Sequence, residues 1–230
     1  MPSEQPMPFT MAEITAMKND FYKYYPKDFS HPEDEGVYHY KWISEWEPLI
    51  QYLVGVDDVV GVEIGTNYGA FASWASRNVL TGKNTMLYTI DVNYNKYILH
   101  NLKNLPNVTF IQGESGDVLK TLTHKGQKKE FAYFVYVDGN HFAANVLEDA
   151  VLGFSLLKED GLIIFDDYGW GIHTEDESVK PKTGVDAFCH GYKGHYDVVA
   201  TGWQIFLQKK KHTFDPKEIE NNYYGMKHSL

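Results

Sequence analysis

The sequence predicts an α/β fold in which a mostly parallel sheet carries helices on both faces. Short apolar runs alternate with helix-like segments from about residue 58 onward, and polar residues follow each run directly. Strands that are apolar on both faces are typical of a parallel sheet covered by helices. With 230 residues and no internal repeat, we expect one structural domain.

Before the sheet, the periodicity predicts two helices, TMAEITAMKNDFYKYY and VYHYKWISEWEPLIQYL. We therefore divide the chain into an N-terminal helical extension or lid (1–57), a main domain (58–211) and a C-terminal tail (212–230). For the second helix, packing against the sheet is favoured over a role as a substrate lid.

Five apolar runs are the predicted parallel strands: VVGVEI, MLYTI, VTFIQ, FAYFVYV and LIIF. Helices are expected between them, including YNKYILHNLKNL and NVLEDAVLGFSLLKED. The segment YDVVATGWQIFLQKK has two strand-like halves, which suits an antiparallel hairpin that closes one edge of the sheet. Ligands of such sheets bind beyond the carboxyl ends of the strands.

Composition limits the classes of partner. The formal net charge is −10, from 21 Lys plus Arg against 31 Asp plus Glu, and this sign repels phosphate backbones and counts against nucleic acid. No apolar run reaches the length of a membrane span, so we expect no membrane partner. One cysteine, Cys189, and an N-terminus without a basic and then apolar leader favour the cytoplasm.

The first predicted strand ends in the glycine-containing turn of GVEIGTNYGAFASWA, which includes Glu63, Gly65, Thr66 and Gly69. A nicotinamide dinucleotide site needs G-x-G-x-x-G, but Asn67 stands where its central glycine should be. Two interpretations stay open. The glycines form only a tight turn, or they let the backbone approach a ligand carboxylate at a helix N-terminus.

Polar residues also follow the second and third strands. Asp91 can accept hydrogen bonds from both hydroxyls of a ribose, or it can cap the helix that starts near Asn93. After the third strand come Gly113, Glu114 and Ser115. Ser115 is either a helix N-cap or a hydrogen-bonding partner of an adenine edge, and the two roles are compatible.

Carboxylates follow the fourth and fifth strands, at Asp138 and at Asp166 with Asp167. Neighbouring parallel strands deliver them to one edge, where they repel and raise one another's pKa unless a positive charge joins them. A divalent cation such as Mg²⁺ would relieve that repulsion. The alternative is that DDYG merely begins a loop.

These strand ends, in this order, resemble the class I S-adenosylmethionine-dependent methyltransferases. The last two resemble the cation-dependent O-methyltransferases of the catechol type and the related sugar and natural-product O-methyltransferases. The resemblance covers about residues 59–209 and implies a Rossmann-like, seven-stranded sheet whose last strand is antiparallel. It implies that S-adenosylmethionine is held by the strand-end residues Glu63, Gly65, Thr66, Asn67, Gly69, Asp91, Gly113, Glu114, Ser115 and Asp138.

By the same resemblance, Asp138, Asp166 and Asp167 hold the cation. In the catechol branch the third ligand is an asparagine, so Asp167 is a departure that makes the site more negative and favours a neutral alcohol, such as a sugar hydroxyl, over a catecholate-like anion. That branch has a lysine as general base three residues after its first metal aspartate, where this chain has His141. Imidazole titrates near neutral pH, which suits it to accept a hydroxyl proton, although a lone histidine is more often structural.

The sequence thus predicts an S-adenosylmethionine-dependent enzyme that methylates a hydroxyl of a small molecule with the help of a divalent cation. A metal-independent N- or O-methyltransferase, in which Asp166 and Asp167 only shape the pocket, is the first alternative. A cofactor-binding module without turnover is the second. The acceptor has no readable motif, and an exposed hairpin edge could support a homodimer.

Overall fold

The computed structural model describes residues 29–30, 50–124 and 130–211, and their centre is one seven-stranded sheet. The two predicted N-terminal helices lie almost wholly outside the described residues, apart from a short 3₁₀ turn at Gln51–Leu53. The predicted C-terminal tail, 212–230, also lies outside the described residues. The proposed division of the chain therefore stays a prediction.

The strands of the sheet are β1 (Val60–Ile64), β2 (Met86–Asp91), β3 (Val108–Gln112), β4 (Ala132–Val137), β5 (Leu157–Phe165), β6 (Tyr196–Thr201) and β7 (Ile205–Lys209). Their order is β3-β2-β1-β4-β5-β7-β6. Strand β5 pairs antiparallel with β7, which pairs antiparallel with β6, while the other pairs are parallel. The predicted fold class, with an antiparallel last strand and an edge hairpin, is confirmed.

Helices cover both faces of the sheet. Alternate residues of β4 show this, because Phe134 and Tyr136 belong to one buried apolar cluster whereas Val135 and Val137 belong to another. Successive side chains of a strand point to opposite faces, so the two clusters lie on opposite sides. The helices are α1 (Ala70–Asn78), α2 (Lys96–Leu102), α3 (Ser115–His124), α4 (Ala143–Leu156) and α5 (Pro181–Gly191), with a 3₁₀ turn at Glu177–Val179.

One predicted helix ends earlier than its sequence indicates. The segment NVLEDAVLGFSLLKED predicts helix through Asp160, but α4 ends at Leu156 and β5 begins at Leu157. Leu157 already pairs with Ala132 of β4. Strand pairing with β4 overrides the helix propensity of the charged residues that follow, because propensity is only a weak prior against tertiary contacts.

The strand order reverses between β1 and β4, since β1 pairs with β2 on one side and with β4 on the other. Connections leave this point in both directions, which opens a crevice at the carboxyl ends of the strands. In the described part of the chain, no helix has the length and apolar character needed to cross a membrane.

Candidate active site

The turn between β1 and α1 opens the crevice. Gly65 has a φ of +95°, and a Cβ at this position would lie 1.8 Å from the carbonyl oxygen of Asp138. Only glycine fits so close to the end of β4. Gly69, with a φ of +81°, is the N-cap of α1, and Asn67 has a φ of +49°, a conformation that Asn tolerates better than most residues. The turn geometry by itself therefore accounts for both glycines.

A cavity of about 750 Å³ lies at these strand ends, a size that suits a nucleotide-sized ligand. Gly69 is the one predicted site residue that does not line it; Gly69 instead lies behind the wall, against Leu102. The structure thus brings the predicted residues together in one place. The predicted residues that line the cavity are Glu63, Gly65, Thr66, Asn67, Asp91, Gly113, Glu114, Ser115, Asp138, His141, Asp166 and Asp167.

Asp91, the last residue of β2, does not cap a helix. Its carboxylate accepts hydrogen bonds from the backbone N–H groups of Asn67 and Asn93, both at 2.8 Å. Asn95 caps α2 instead, since its Oδ1 accepts from two backbone N–H groups at the start of that helix. Each carboxylate oxygen of Asp91 keeps a lone pair for a further donor, so its carboxylate can still accept hydroxyl donors from a ligand in the cavity.

Glu63 is buried, with 1% of its surface exposed, and its partners are internal. The Thr89 hydroxyl donates to its carboxyl group, and that hydroxyl is also bonded to the hydroxyl of Thr66. Burial raises the pKa of Glu63 to about 8, and the hydrogen bond from Thr89 only partly opposes this. Glu63 is therefore largely protonated at neutral pH, which its sequence position does not reveal.

Ser115 is the first residue of α3 and not its N-cap. The carbonyl of Glu114 accepts from the N–H groups of Asp117 and Val118, at 3.2 and 3.1 Å, so the cap position belongs to Glu114. The N-cap interpretation of Ser115 is therefore wrong.

Acidic side chains crowd the other end of the cavity. Asp138, His141 and Asp167 each offer a ligand atom, and these atoms lie within 4.8 Å of one another. Burial, with the neighbouring charges of Asp166 and Asp167, raises the pKa of Asp138 well above its ordinary value. His141 Nε2 lies 3.1 Å from Asp167 Oδ2. Such a group can take up protons or hold a cation.

Asp166 faces a different set of partners. It is 6% exposed and accepts hydrogen bonds from the Tyr136 hydroxyl and, at 2.7 Å, from the backbone N–H of Asp167. Burial and the charge of Asp167 raise the pKa of Asp166 to about 6. The structure thus groups His141, and not Asp166, with Asp138 and Asp167, although the Asp166 side chain still lines the cavity.

Three further side chains contact the site, and the sequence analysis missed two of them, Tyr136 and Trp203. The Tyr136 hydroxyl is one, and it lies in a strand whose pattern indicates only core. Trp203 is another, since its Nε1 donates to Asp167 Oδ1 at 2.9 Å from the turn between β6 and β7. The ring of Trp170 lies 5.2 Å from that of His141. Only the TGW turn could have drawn attention to Trp203, and nothing in its spacing connects it with the DD pair.

Comparison with known proteins identifies the domain that contains this cavity. A family model described as a methyltransferase domain matches residues 62–168, from β1 to just beyond β5. The chain carries a class I methyltransferase domain. The match contains every predicted site residue of this methyltransferase. The predicted recognition and the predicted enzyme class are confirmed.

Solved structures share the fold of the methyltransferase. An O-methyltransferase from Bacillus cereus in complex with SAH has a TM-score of 0.57 at 15% identity, covering 89% of this chain and 94% of that one. The O-methyltransferase TomG of tomaymycin synthesis from Streptomyces achromogenes, in complex with SAM, has a TM-score of 0.57 at 16% identity, covering 88% and 92%. Among curated proteins, no sequence matches the chain.

A third solved structure is the methyltransferase MycE of the mycinamycin biosynthetic pathway, in complex with Mg and SAH. Its TM-score is 0.56 at 14% identity, and the match covers 93% of this chain but 60% of that chain. At these identities the likeness concerns the fold. The chain spans about three fifths of the length of MycE.

Proposed function

We propose that this methyltransferase transfers a methyl group from S-adenosylmethionine to a hydroxyl of a small molecule, with a divalent cation near the reacting oxygen and His141 as general base. One observation carries the proposal. The group of Asp138, His141 and Asp167 lies in the same cavity as the glycine turn of β1 and the acidic end of β2.

The residues at the ends of β1, β2 and β3 fit S-adenosylmethionine. The cavity is large enough for this ligand, and Gly65 has no side chain that would obstruct the turn. Asp91 keeps lone pairs that can accept from ribose hydroxyls. We assign Gly65, Thr66 and Asn67 to the amino-acid end of the ligand, and Gly113, Glu114 and Ser115 to adenine. When bound, S-adenosylmethionine supplies an electrophilic methyl group on a positively charged sulfur.

The carboxylates fit a divalent cation, since hard oxygen ligands are those that Mg²⁺ prefers. We assign Asp138, Asp166 and Asp167 as its ligands. The Asp166 carboxylate accepts hydrogen bonds from the Tyr136 hydroxyl and the Asp167 N–H, and its remaining lone pairs can still bind a cation. When bound, a divalent cation lowers the pKa of a hydroxyl that it coordinates. MycE, solved with Mg, SAH and mycinamycin VI at a TM-score of 0.55, supports the same combination of ligands.

His141 accepts the proton from the acceptor hydroxyl. Its Nε2 faces Asp167 Oδ2 at 3.1 Å, an arrangement in which a carboxylate orients the imidazole and stabilises the charge that it gains. Its ring edge meets Trp170, which limits its rotation. Asp138, Asp166 and Asp167 on one cation leave a net negative charge, and this favours a neutral alcohol, such as a sugar hydroxyl, over an anionic acceptor.

A metal-independent methyltransferase is the second candidate. The hydrogen bonds that the Asp166 carboxylate accepts favour it, because they show how one acid is held without a cation. In that case Asp166 shapes the pocket and the His141–Asp167 pair alone handles the proton. We place the enzyme in the cytoplasm on its single cysteine, and we keep a homodimer as an alternative to a monomer.

Calorimetric titration of the metal-stripped protein with S-adenosylmethionine, without and with Mg²⁺, tests the proposal. We expect binding in both cases and tighter binding or additional heat with Mg²⁺. Asp138→Asn should remove the Mg²⁺ response, while the control Asp197→Asn, an exposed residue of β6, should keep it. An unchanged titration with Mg²⁺, together with turnover that survives EDTA, would favour the metal-independent candidate. No binding at all would contradict both.

A further inference from the structure

Asn101, a buried residue of α2, joins a distant part of the chain to the glycine turn. It is 6% exposed. Its Oδ1 accepts from the backbone N–H of Ser30 at 2.8 Å, and its Nδ2 donates to the carbonyl of Ser30 at 2.7 Å. The same Nδ2 donates to the carbonyl of Tyr68, in the turn between β1 and α1, at 2.8 Å. Ser30 lies 71 residues before Asn101, so only the folded chain brings these three groups together.

The partners fix the orientation of the Asn101 amide. A backbone N–H can only donate and a backbone carbonyl can only accept, so the oxygen faces the Ser30 N–H and the nitrogen faces the two carbonyls. Both amide protons are therefore committed, one to Ser30 and one to Tyr68. Without the backbone of Ser30, the amide can rotate, and the Tyr68 carbonyl then loses an oriented donor. We call the two hydrogen bonds between Ser30 and Asn101 the docking of Ser30.

The Tyr68 carbonyl belongs to the turn that borders the cavity. Tyr68 lines the cavity and directly precedes Gly69, the N-cap of α1. Asn95, the N-cap of α2, donates to the preceding carbonyl, that of Asn67, at 3.3 Å. Two side-chain amides of α2 thus hold two successive carbonyls of the turn. A carbonyl that left α2 and turned into the cavity would oppose a ligand carboxylate, since both groups can only accept.

We propose that Asn101 is a positioning residue for the cofactor, oriented by the docking of Ser30. The inference rests on the proposed function, in that it takes the ligand at the turn to be S-adenosylmethionine. When Ser30 is not docked, the turn samples arrangements that do not bind, and the apparent affinity falls with the fraction of competent molecules. Docking and cofactor binding therefore strengthen each other, and by linkage they do so by the same factor.

Two substitutions at Ser30 separate its backbone from its side chain. Ser30→Pro removes the N–H that donates to Asn101, whereas Ser30→Ala keeps both backbone groups. In calorimetric titration with S-adenosylhomocysteine, Ser30→Pro should raise the dissociation constant about threefold and Ser30→Ala should leave it unchanged. Asn101→Ala loses all three hydrogen bonds and should raise it about fivefold. The double variant Ser30→Pro/Asn101→Ala should match Asn101→Ala alone, because Ser30 acts through Asn101.

Asn107 provides the control for a merely structural effect. Its amide also joins separate segments, since its Nδ2 donates to the carbonyl of Leu80 at 3.0 Å and its Oδ1 accepts from the Ser76 hydroxyl. These partners lie at the end of α1 that is remote from the turn. Asn107→Ala should lower the free energy of unfolding, measured by urea denaturation, and leave the dissociation constant unchanged. An equal rise in the dissociation constant in Asn107→Ala and Asn101→Ala would overturn the positioning role.

Hydrogen exchange measures the coupling in the opposite direction, on the unmodified chain. Saturating S-adenosylhomocysteine should slow exchange of the Ser30 amide about threefold, measured by NMR, because ligand binding strengthens docking. The amide of Gly55 is the control, since it also donates to a side-chain oxygen, that of Thr81, and it should keep its rate.

An unchanged exchange rate of Ser30 would overturn the inference whether or not the variants fold. Equal dissociation constants in the wild type, Ser30→Pro and Asn101→Ala would also overturn it. In both cases the proposed function would stand, because S-adenosylhomocysteine still binds. Failure of the wild type to bind S-adenosylhomocysteine would overturn both.

Discussion

The two ends of the cavity are built in opposite ways. At the ends of β1 and β2, the acids have internal donors: Asp91 accepts two backbone N–H groups, and Glu63 is held by Thr89. At the ends of β4 and β5, burial and the charge of Asp167 raise the pKa of both Asp138 and Asp166, and Asp167 has a φ of +54°. The acids of the first end have internal donors, whereas the second end crowds three carboxylates together.

We interpret this difference as a separation of ligand binding, at the β1–β2 end, from chemistry, at the β4–β5 end. A preorganised set of donors and acceptors holds a ligand without rearranging, which suits the part of a cofactor that does not react. Strain and like charges are costs that persist only where the surrounding structure enforces them, and they concentrate at reacting sites. In this chain, hydrogen bonds from Tyr136 to Asp166 and from Trp203 to Asp167 hold the acidic side chains in place.

The acidic end should dominate the effects on turnover. His141→Gln should lower kcat by roughly 10²- to 10⁴-fold, because it removes the proposed general base. The dissociation constant of S-adenosylhomocysteine should change by no more than about twofold, since His141 lies away from the β1–β3 end. His173→Gln, an exposed histidine of the nearby loop, is the control and should keep the wild-type rate. A full rate in His141→Gln would show that another group is the base.

At the other end, the backbone of the glycine turn should be the most sensitive feature. Gly65→Ala should lower the free energy of unfolding by about 3 kcal/mol, measured by urea denaturation, since the new Cβ collides with the Asp138 carbonyl and the φ is unfavourable. Gly194→Ala separates the two causes, because Gly194 has a φ of +93° but no atom within 4 Å of a Cβ. It should cost about 1 kcal/mol. Equal losses would mean that the close contact with Asp138 is unimportant.

The raised pKa of Glu63 predicts a pH dependence of stability. Its pKa is about 8 in the folded chain, against an ordinary value of 4.5, so the folded state binds more protons between these pH values. The contribution of Glu63 is thus fully present below about pH 4.5 and is lost as the pH rises through about 8. Glu63→Gln should remove up to about 1.4 kcal/mol per pH unit from that slope.

Unfolding curves of wild type and Glu63→Gln across this pH range measure the difference. Asp138 is present in both proteins, but the charge of Glu63 contributes to its raised pKa, so the difference measures Glu63 together with its coupling to Asp138. Parallel pH profiles would contradict a protonated Glu63 at neutral pH.

Trp203→Phe should have the smallest effect. Phenylalanine keeps a ring beside Gly169 but loses the N–H that donates to Asp167, so the free energy of unfolding should fall by about 1 kcal/mol. Trp170→Phe is the matched control, because Trp170 meets His141 through its ring and a phenyl ring can replace that contact. If both variants lost the same stability, the hydrogen bond to Asp167 would have no measurable role.

The sequence by itself determined the fold class, the strand ends and the set of side chains that would meet there. Apolar runs of strand length alternating with helical segments leave few alternatives to a parallel sheet, and parallel strands bring their carboxyl ends to one edge. This is why Asp91, Asp138 and Asp167 could be assigned to a single site although they lie far apart in the chain. The boundary at Leu156 could not be assigned, because pairing with β4 decides it.

The tertiary structure alone decided which atoms those side chains face. Glu63 became a buried, protonated group because Thr89 and α1 enclose it. Asp166 accepts a hydrogen bond from Tyr136, since this partner from another strand lies within hydrogen-bonding distance. Periodicity fixes the edge of the sheet at which a side chain emerges. Its hydrogen bonds and its pKa depend on burial and on neighbours distant in sequence, and these exist only once the chain has folded.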